Sequence, residues 1–223
     1  MLSVLYRVAG VGLRRVLLVG VVGALMLAGC GGSSHKISTA VTRALATTAS
    51  TATTASTPTS GIASRVLTSN ELPVGLTGSQ PSVNNTISGW LAGSQTPSDQ
   101  VASETKRLTR LGFVAGASES LGGSSGGGVS IAEQFKTPGG ARSELANEVK
   151  LFKANDAGVY KAFPVPGIPG AFGLAETAQP PGVNVAFASD DYYYLVGAQV
   201  SATASSEAKI IAAARRLYRR VHG

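Results

Sequence analysis

The sequence predicts an α+β fold, an antiparallel β-sheet built from hairpins with about three helices packed on it. Short runs rich in β-branched and aromatic residues come in pairs, each pair separated by turn-forming residues. Three further segments carry helical periodicity with start and stop signals. The connections within the pairs are short, which argues for antiparallel pairing with the helices covering one face.

The elements follow in order. Thr96-Pro97-Ser98-Asp99 places a Thr at the N-cap, Pro at the first helical position and an acid at the third. That helix runs to Leu111 and stops at Gly112, a residue suited to the left-handed turn after a helix. Val101, Leu108 and, less centrally, Leu111 face inward, with Lys106, Arg107 and Arg110 opposite. Phe113 to Leu121 and Val129 to Lys136 make a hairpin around a loose glycine loop, Gly122 to Gly128. Thr137-Pro138 opens the second helix, where Ala141, Leu145, Val149 and Phe152 form one stripe. Val159 to Phe163 and Ala171 to Thr177 flank Pro164, Pro166 and Pro169, a rigid crossover or, alternatively, a recognition loop. Val183 to Phe187 and Tyr192 to Val200 surround Ala188-Ser189-Asp190-Asp191, the clearest hairpin of the chain. The last helix, Ser205 to Val221, buries Ile210, Ala214, Leu217 and Val221 and projects Arg215, Arg216, Arg219 and Arg220 into solvent. Both Thr-Pro helices precede a hairpin and start 41 residues apart, the pattern a decayed duplication would leave.

The folded domain is expected over residues 62–223, which is enough chain for one ordinary core. Before it lies different material. Arg7, Arg14 and Arg15 form a basic flank, and Val16 to Ala28 is an apolar run of 13 residues. A membrane-spanning helix needs about 20, so residues 1–29 read as a signal peptide. Leu27-Ala28-Gly29-Cys30 resembles the lipobox of bacterial lipoproteins at all four positions. The resemblance implies a diacylglyceryl group (palmitate or a similar chain) on Cys30, cleavage just before it, and a lipid-anchored place on the extracytoplasmic face of the cell membrane. Two acyl chains anchor a protein stably where one does not. Residues 30–61 are rich in Ser, Thr, Ala and Gly, too poor in large apolar side chains to offset their ordering. They read as a flexible tether with a span of roughly 30 Å. From Leu111-Gly112-Phe113 to Tyr218-Arg219-Arg220 the chain loosely resembles small lipoproteins of high-GC Gram-positive bacteria, some with a PsbP/Mog1-like fold. That likeness implies location and fold class only.

Composition narrows the chemistry. The formal charge is +7, but loss of the three leader arginines leaves 16 basic residues against 12 acidic ones, a net of +4. So small an excess, spread along the chain, does not predict nucleic-acid binding. Cys30 is the single cysteine, and the two histidines are His35, in the tether, and His222, beside the C-terminus. No cofactor or metal is expected, since a zinc site has no ligands to draw on, and triad chemistry lacks its base. The glycine loop is not followed by a helix, as a phosphate cradle requires.

The candidate ligand contacts are aromatic. Tyr192 and Tyr194 share one face of their strand, and if open they make an amphipathic platform for sugars or peptides. The alternative is that they are ordinary strand tyrosines. Trp90 is a third candidate, with a core role as its alternative. The leading expectation is a non-catalytic domain that binds an envelope protein or a small ligand. A carbohydrate-active enzyme is the rival; it would use carboxylates alone, Asp191 with Glu133 or Glu176, at a defined separation. Asp190 and Asp191 also suit a turn. A structural accessory of a membrane complex is the third reading. The four terminal arginines read first as a solvated helix face, or else as contacts to anionic lipid or cell-wall polymer.

Overall fold

The computed structural model describes residues 60–223, apart from 74, 124–125, 155–158 and 178–180. Cys30, the expected signal peptide and the expected tether up to residue 59 therefore lie outside the described residues, while Ser60 and Gly61, expected to end the tether, begin the first helix. A short helix α1 (Ser60–Ala63) leads to strands β1 (Thr77–Gly78) and β2 (Ser82–Asn84). Helices α2 (Ile87–Gly93) and α3 (Ser98–Leu111) follow, then the hairpin of β3 (Phe113–Gly123) and β4 (Gly126–Phe135). Helix α4 (Pro138–Ala154) leads to β5 (Tyr160–Phe163), β6 (Phe172–Glu176), β7 (Gly182–Ser189) and β8 (Tyr192–Ala198). Helix α5 (Ala204–His222) comes last.

The strands form one antiparallel sheet in the order β1-β3-β4-β8-β7-β6-β5, with β2 also paired to β3. The α+β class and the hairpin construction are as expected. The glycine run is not a loose loop, however: Gly122 pairs with Gly127 and Gly123 with Gly126, within the strands. The proline segment joins two adjacent antiparallel strands rather than crossing the sheet. It buries Val165 and Ile168.

The expectation that helices cover one face is corrected. Residues alternate between faces along a strand, and both faces of the central strands are buried. Tyr194 and Val196 join Val185, Phe187, Ile210 and Leu217 in one core. Tyr193 and Leu195 join Trp90, Leu91, Leu108 and Phe135 in another. Helix α5 closes the first face, and α2, α3 and α4 lie on the second. Near-continuous apolar runs such as Tyr193-Tyr194-Leu195-Val196 are what a doubly covered strand needs.

Helix limits follow local chemistry with small shifts. Gly112 takes φ 76° after α3, a conformation that costs a side chain but not glycine. Its N-cap is Pro97 rather than Thr96. Thr137 does cap α4, its hydroxyl accepting from the Gly140 amide at 3.2 Å, and Thr203 caps α5 by accepting from Ser206. Two helix faces differ from expectation. On α3, Val101 is exposed and Arg107 turns inward. On α4 the buried stripe runs through Ala141, Glu144, Glu148 and Phe152, leaving Leu145 and Val149 half-buried. One ion pair accounts for both rotations: Arg107 donates to Glu144, which is fully buried, and to Glu104. A charge taken out of water must be paired, so the helices turn to face each other with it. The two Thr-Pro helices are thus not equivalent in packing.

The segment from Ile62 to Leu76 crosses the α5 side as a strap. Ile62, Val66 and Leu67 enter the core. The Leu67 amide donates to Ser130 Oγ at 3.0 Å. Arg216 donates to the carbonyls of Glu71 and Leu72, and Arg220 donates to those of Ser64 and Val66 and to both Glu71 oxygens. The terminal arginines are therefore not all a solvated face; two of them clasp the chain where it joins the domain. Burial alone would raise the Glu71 carboxyl, but Arg220 and the Thr68 amide outweigh it and hold it below the ordinary value. A carboxylate depressed in the folded state stabilises above its unfolded value, and the contribution is lost as pH falls through the folded value. Arg220→Met is expected to weaken the strap by about 2 kcal/mol. Amide exchange at Leu67 should quicken accordingly, and wild type should approach that behaviour as the acid limb is crossed. Unchanged protection would refute the clasp.

Candidate functional site

The site builds from the turn between β7 and β8. Ser189 pairs with Tyr192 across it, leaving a two-residue connection in which Asp190 takes φ 52°. Asp tolerates this left-handed conformation better than most residues, so the acid pair serves the turn. Asp191 also ties the turn to β4: its carboxylate accepts from Gln134 Nε2 at 3.1 Å, and its carbonyl accepts from the Phe135 amide at 2.8 Å.

Tyr192 and Tyr194 share a face, with ring centroids 6.0 Å apart. That face is not an open platform. Tyr194 is fully buried and stacks on Phe187 at 4.8 Å, and Phe187 meets Tyr218 edge-on at 5.7 Å. Tyr192 is half-buried, and the Arg65 guanidinium covers its ring at 4.5 Å from the centroid. Arg65 also donates to the Tyr194 hydroxyl at 3.3 Å and to the Val221 carbonyl at 3.2 Å. The face that would make a platform if open is thus closed by helix α5 and by a cation from the strap. The exposed rim that remains is the edge of Tyr192 with Arg65, Asp190 and Asp191.

Electrostatics keep the two phenols and Arg65 in one protonation state near neutrality. Burial pushes the Tyr194 hydroxyl up to about 12, with Arg65 opposing. Burial and Asp191 raise Tyr192, again against Arg65. Both phenols therefore remain neutral hydrogen-bond donors. Burial would lower Arg65, but the tyrosines and Asp191 raise it on balance. A fixed cation, a neutral phenol and two carboxylates can recognise a polar ligand; none of them is an activated nucleophile. Beside the turn, Ser189 Oγ and His222 Nδ1 lie 3.1 Å apart, and the imidazole stacks on Tyr218 at 4.9 Å.

Trp90 belongs elsewhere. It lies against the other face of the sheet, flat over Gly116, where a Cβ would come within 2.5 Å of the ring. It is 3% exposed and donates from Nε1 to Glu133 Oε1 at 2.7 Å. Trp90 is a core anchor and does not meet the tyrosines.

The acid pairs named for glycoside chemistry are also not brought together. Glu133 sits under Trp90, while the Gln134 side chain that holds Asp191 points to the opposite face. Glu176 pairs with Gly182 at the far end of β7 from the turn, roughly 23 Å along the strand. A water-mediated glycosidic pair needs about 6.5–9.5 Å. Among the described residues no group of three His, Cys, Asp or Glu is placed to hold a metal ion.

Arg65, Gln134, Ser189 and His222 were not expected at the site. Arg65 lies 129 residues from Tyr194, and no local pattern marks that distance. The one available signal was Ile62 and Val66-Leu67 around Arg65, an apolar spacing that a strap on a core must have.

The fold so built is an antiparallel α+β sheet covered on both faces. The extracellular domain of PknH from Mycobacterium tuberculosis overlaps it with a TM-score of 0.49 at 11% identity, covering 73% of this chain and 96% of that one. That likeness carries no implication for the chemistry of this chain. No protein-family model matches the chain, and no curated protein matches it significantly.

Proposed function

We propose that this chain is a diacylated lipoprotein of the extracytoplasmic membrane face whose single domain binds an envelope protein or small ligand without catalysing a reaction. The observation that carries the reading is Leu27-Ala28-Gly29-Cys30, placed directly after a basic flank and a 13-residue apolar run. No helix among the described residues is long and apolar enough to cross a membrane. The binding surface in this reading is the rim of Tyr192, Arg65, Asp190 and Asp191.

The anchor is tested by fractionation and mass spectrometry. Cys30→Ser should move the chain from the membrane to the soluble fraction, or leave it with its leader attached; an unmodified thiol on a membrane-bound wild-type chain would refute the anchor. The binding rim is tested by pull-down from detergent-solubilised envelope. Asp190→Ala together with Tyr192→Ala should lose the captured component while thermal unfolding remains cooperative. Tyr194→Ala does not serve this purpose, because its ring belongs to the core. Capture unaffected by the rim variant would exclude that surface.

A further inference from the structure

Folding sorts the charges of this chain by sign. Six of its 12 acidic residues are buried: Glu71, Glu119, Glu133, Glu144, Glu148 and Glu176. Among the described residues only Asp99 and Asp190 remain exposed acids, against 11 exposed lysines and arginines. Burial also pushes the Glu119 and Glu176 carboxyls up, towards the neutral form. The exposed side chains are therefore more cationic than the described residues taken as a whole.

Helix α5 concentrates this excess. At 3.6 residues per turn, Lys209, Arg215, Arg216, Arg219 and Arg220 fall within an arc of about 140°. Glu207, the only acid of α5, is half-buried on the other flank. Arg216 and Arg220 are committed to the strap. Lys209, Arg215 and Arg219 are exposed, with no ion pair to a described residue. The first described segment packs on the same side of the molecule: Arg220 holds the Ser64 carbonyl, and Arg65 reaches the Val221 carbonyl.

We propose that the cationic side of α5, through Lys209, Arg215 and Arg219, docks on the anionic headgroups of the bilayer to which the chain is anchored. The choice of a bilayer rests on the lipoprotein reading above. Basic residues on a helix surface are drawn to anionic lipid, each adding about fivefold in affinity near the surface, and the attraction is screened by salt. Docking would supply a second membrane contact beside the acyl chains and set which way the Tyr192 rim faces.

The test separates docking from anchoring. The described residues 60–223 hold an eight-stranded sheet with a core on each face; the chain used begins at Gly31, and its cooperative thermal unfolding is checked first. It is mixed with vesicles of phosphatidylcholine alone or of equal parts phosphatidylcholine and phosphatidylglycerol. Co-sedimentation is expected with the anionic vesicles at about 50 mM salt and is lost at about 0.5 M. Lys209→Glu with Arg215→Glu and Arg219→Glu should weaken it at least about tenfold. The equal charge change on the other face, Lys106→Glu with Arg110→Glu and Arg142→Glu, should weaken it no more than about twofold. Absence of binding, equal weakening by both triple variants, or capture by a soluble polyanion with vesicles ignored would each overturn the proposal. Failure of the anchor shows separately, as full-length Cys30→Ser that stays in the membrane fraction without a leader through a wash at about 0.5 M salt.

Discussion

Arg107→Met is expected to lower the unfolding free energy by about 3–5 kcal/mol, because it leaves a buried carboxylate without its cation. Glu144 is fully buried, and the Arg107 side chain that donates to it is 10% exposed. Burial would lower the guanidinium, yet Glu144 and Glu104 raise it overall, so the pair favours its charged form. The cost arises from the buried acid that loses its cation rather than from the loss of the arginine itself. Arg107→Met with Glu144→Met should therefore recover most of the loss, since an apolar pair of similar volume costs little. Urea unfolding of the two single variants and the double closes the cycle. A double variant less stable than Arg107→Met alone would mean that the pair supplies net stability that packing cannot replace. A loss under about 1 kcal/mol in Arg107→Met would mean that the helices part and admit water.

Phe187→Ala should cost a similar amount, about 3–5 kcal/mol. Its ring is fully buried between Tyr194 and Tyr218, so truncation removes apolar contact and leaves a cavity beneath α5. The cavity cannot collapse easily, because Arg65, Val221 and the strap close the same place through hydrogen bonds. The change should appear as a lower urea midpoint with unchanged slope. Tyr192→Ala, half-buried on the rim, should cost much less. If both variants lost the same stability, the division between core and rim drawn through Tyr192 and Tyr194 would be wrong.

Much of the fold was legible locally. Asp190 and Asp191 mark a turn because Asp tolerates a positive φ, and that turn sets the register of β7 and β8. Gly112 marks a helix end for an equally local reason. The strap and α2 carried weaker signals: Ile62 and Val66 have no periodic run around them, and Trp90 sits in a helix of seven residues. The candidate site was half legible. Strand alternation alone put Tyr192 and Tyr194 on one side, but whether that side met water depended on α5 and on Arg65.

By itself, then, the sequence determined the α+β class, the hairpins and three of the helices, since each depends on neighbours within a few residues. Only the tertiary structure decided that both faces of the sheet are covered, that Arg107 meets Glu144 across 37 residues and that Arg220 meets Glu71 across 149. It also decided which charges reach the surface. The physical reason is that burying a charge is favourable only once a partner or a protonated state is available, and for Glu144 and Glu71 that partner arrives from another element when the chain has folded.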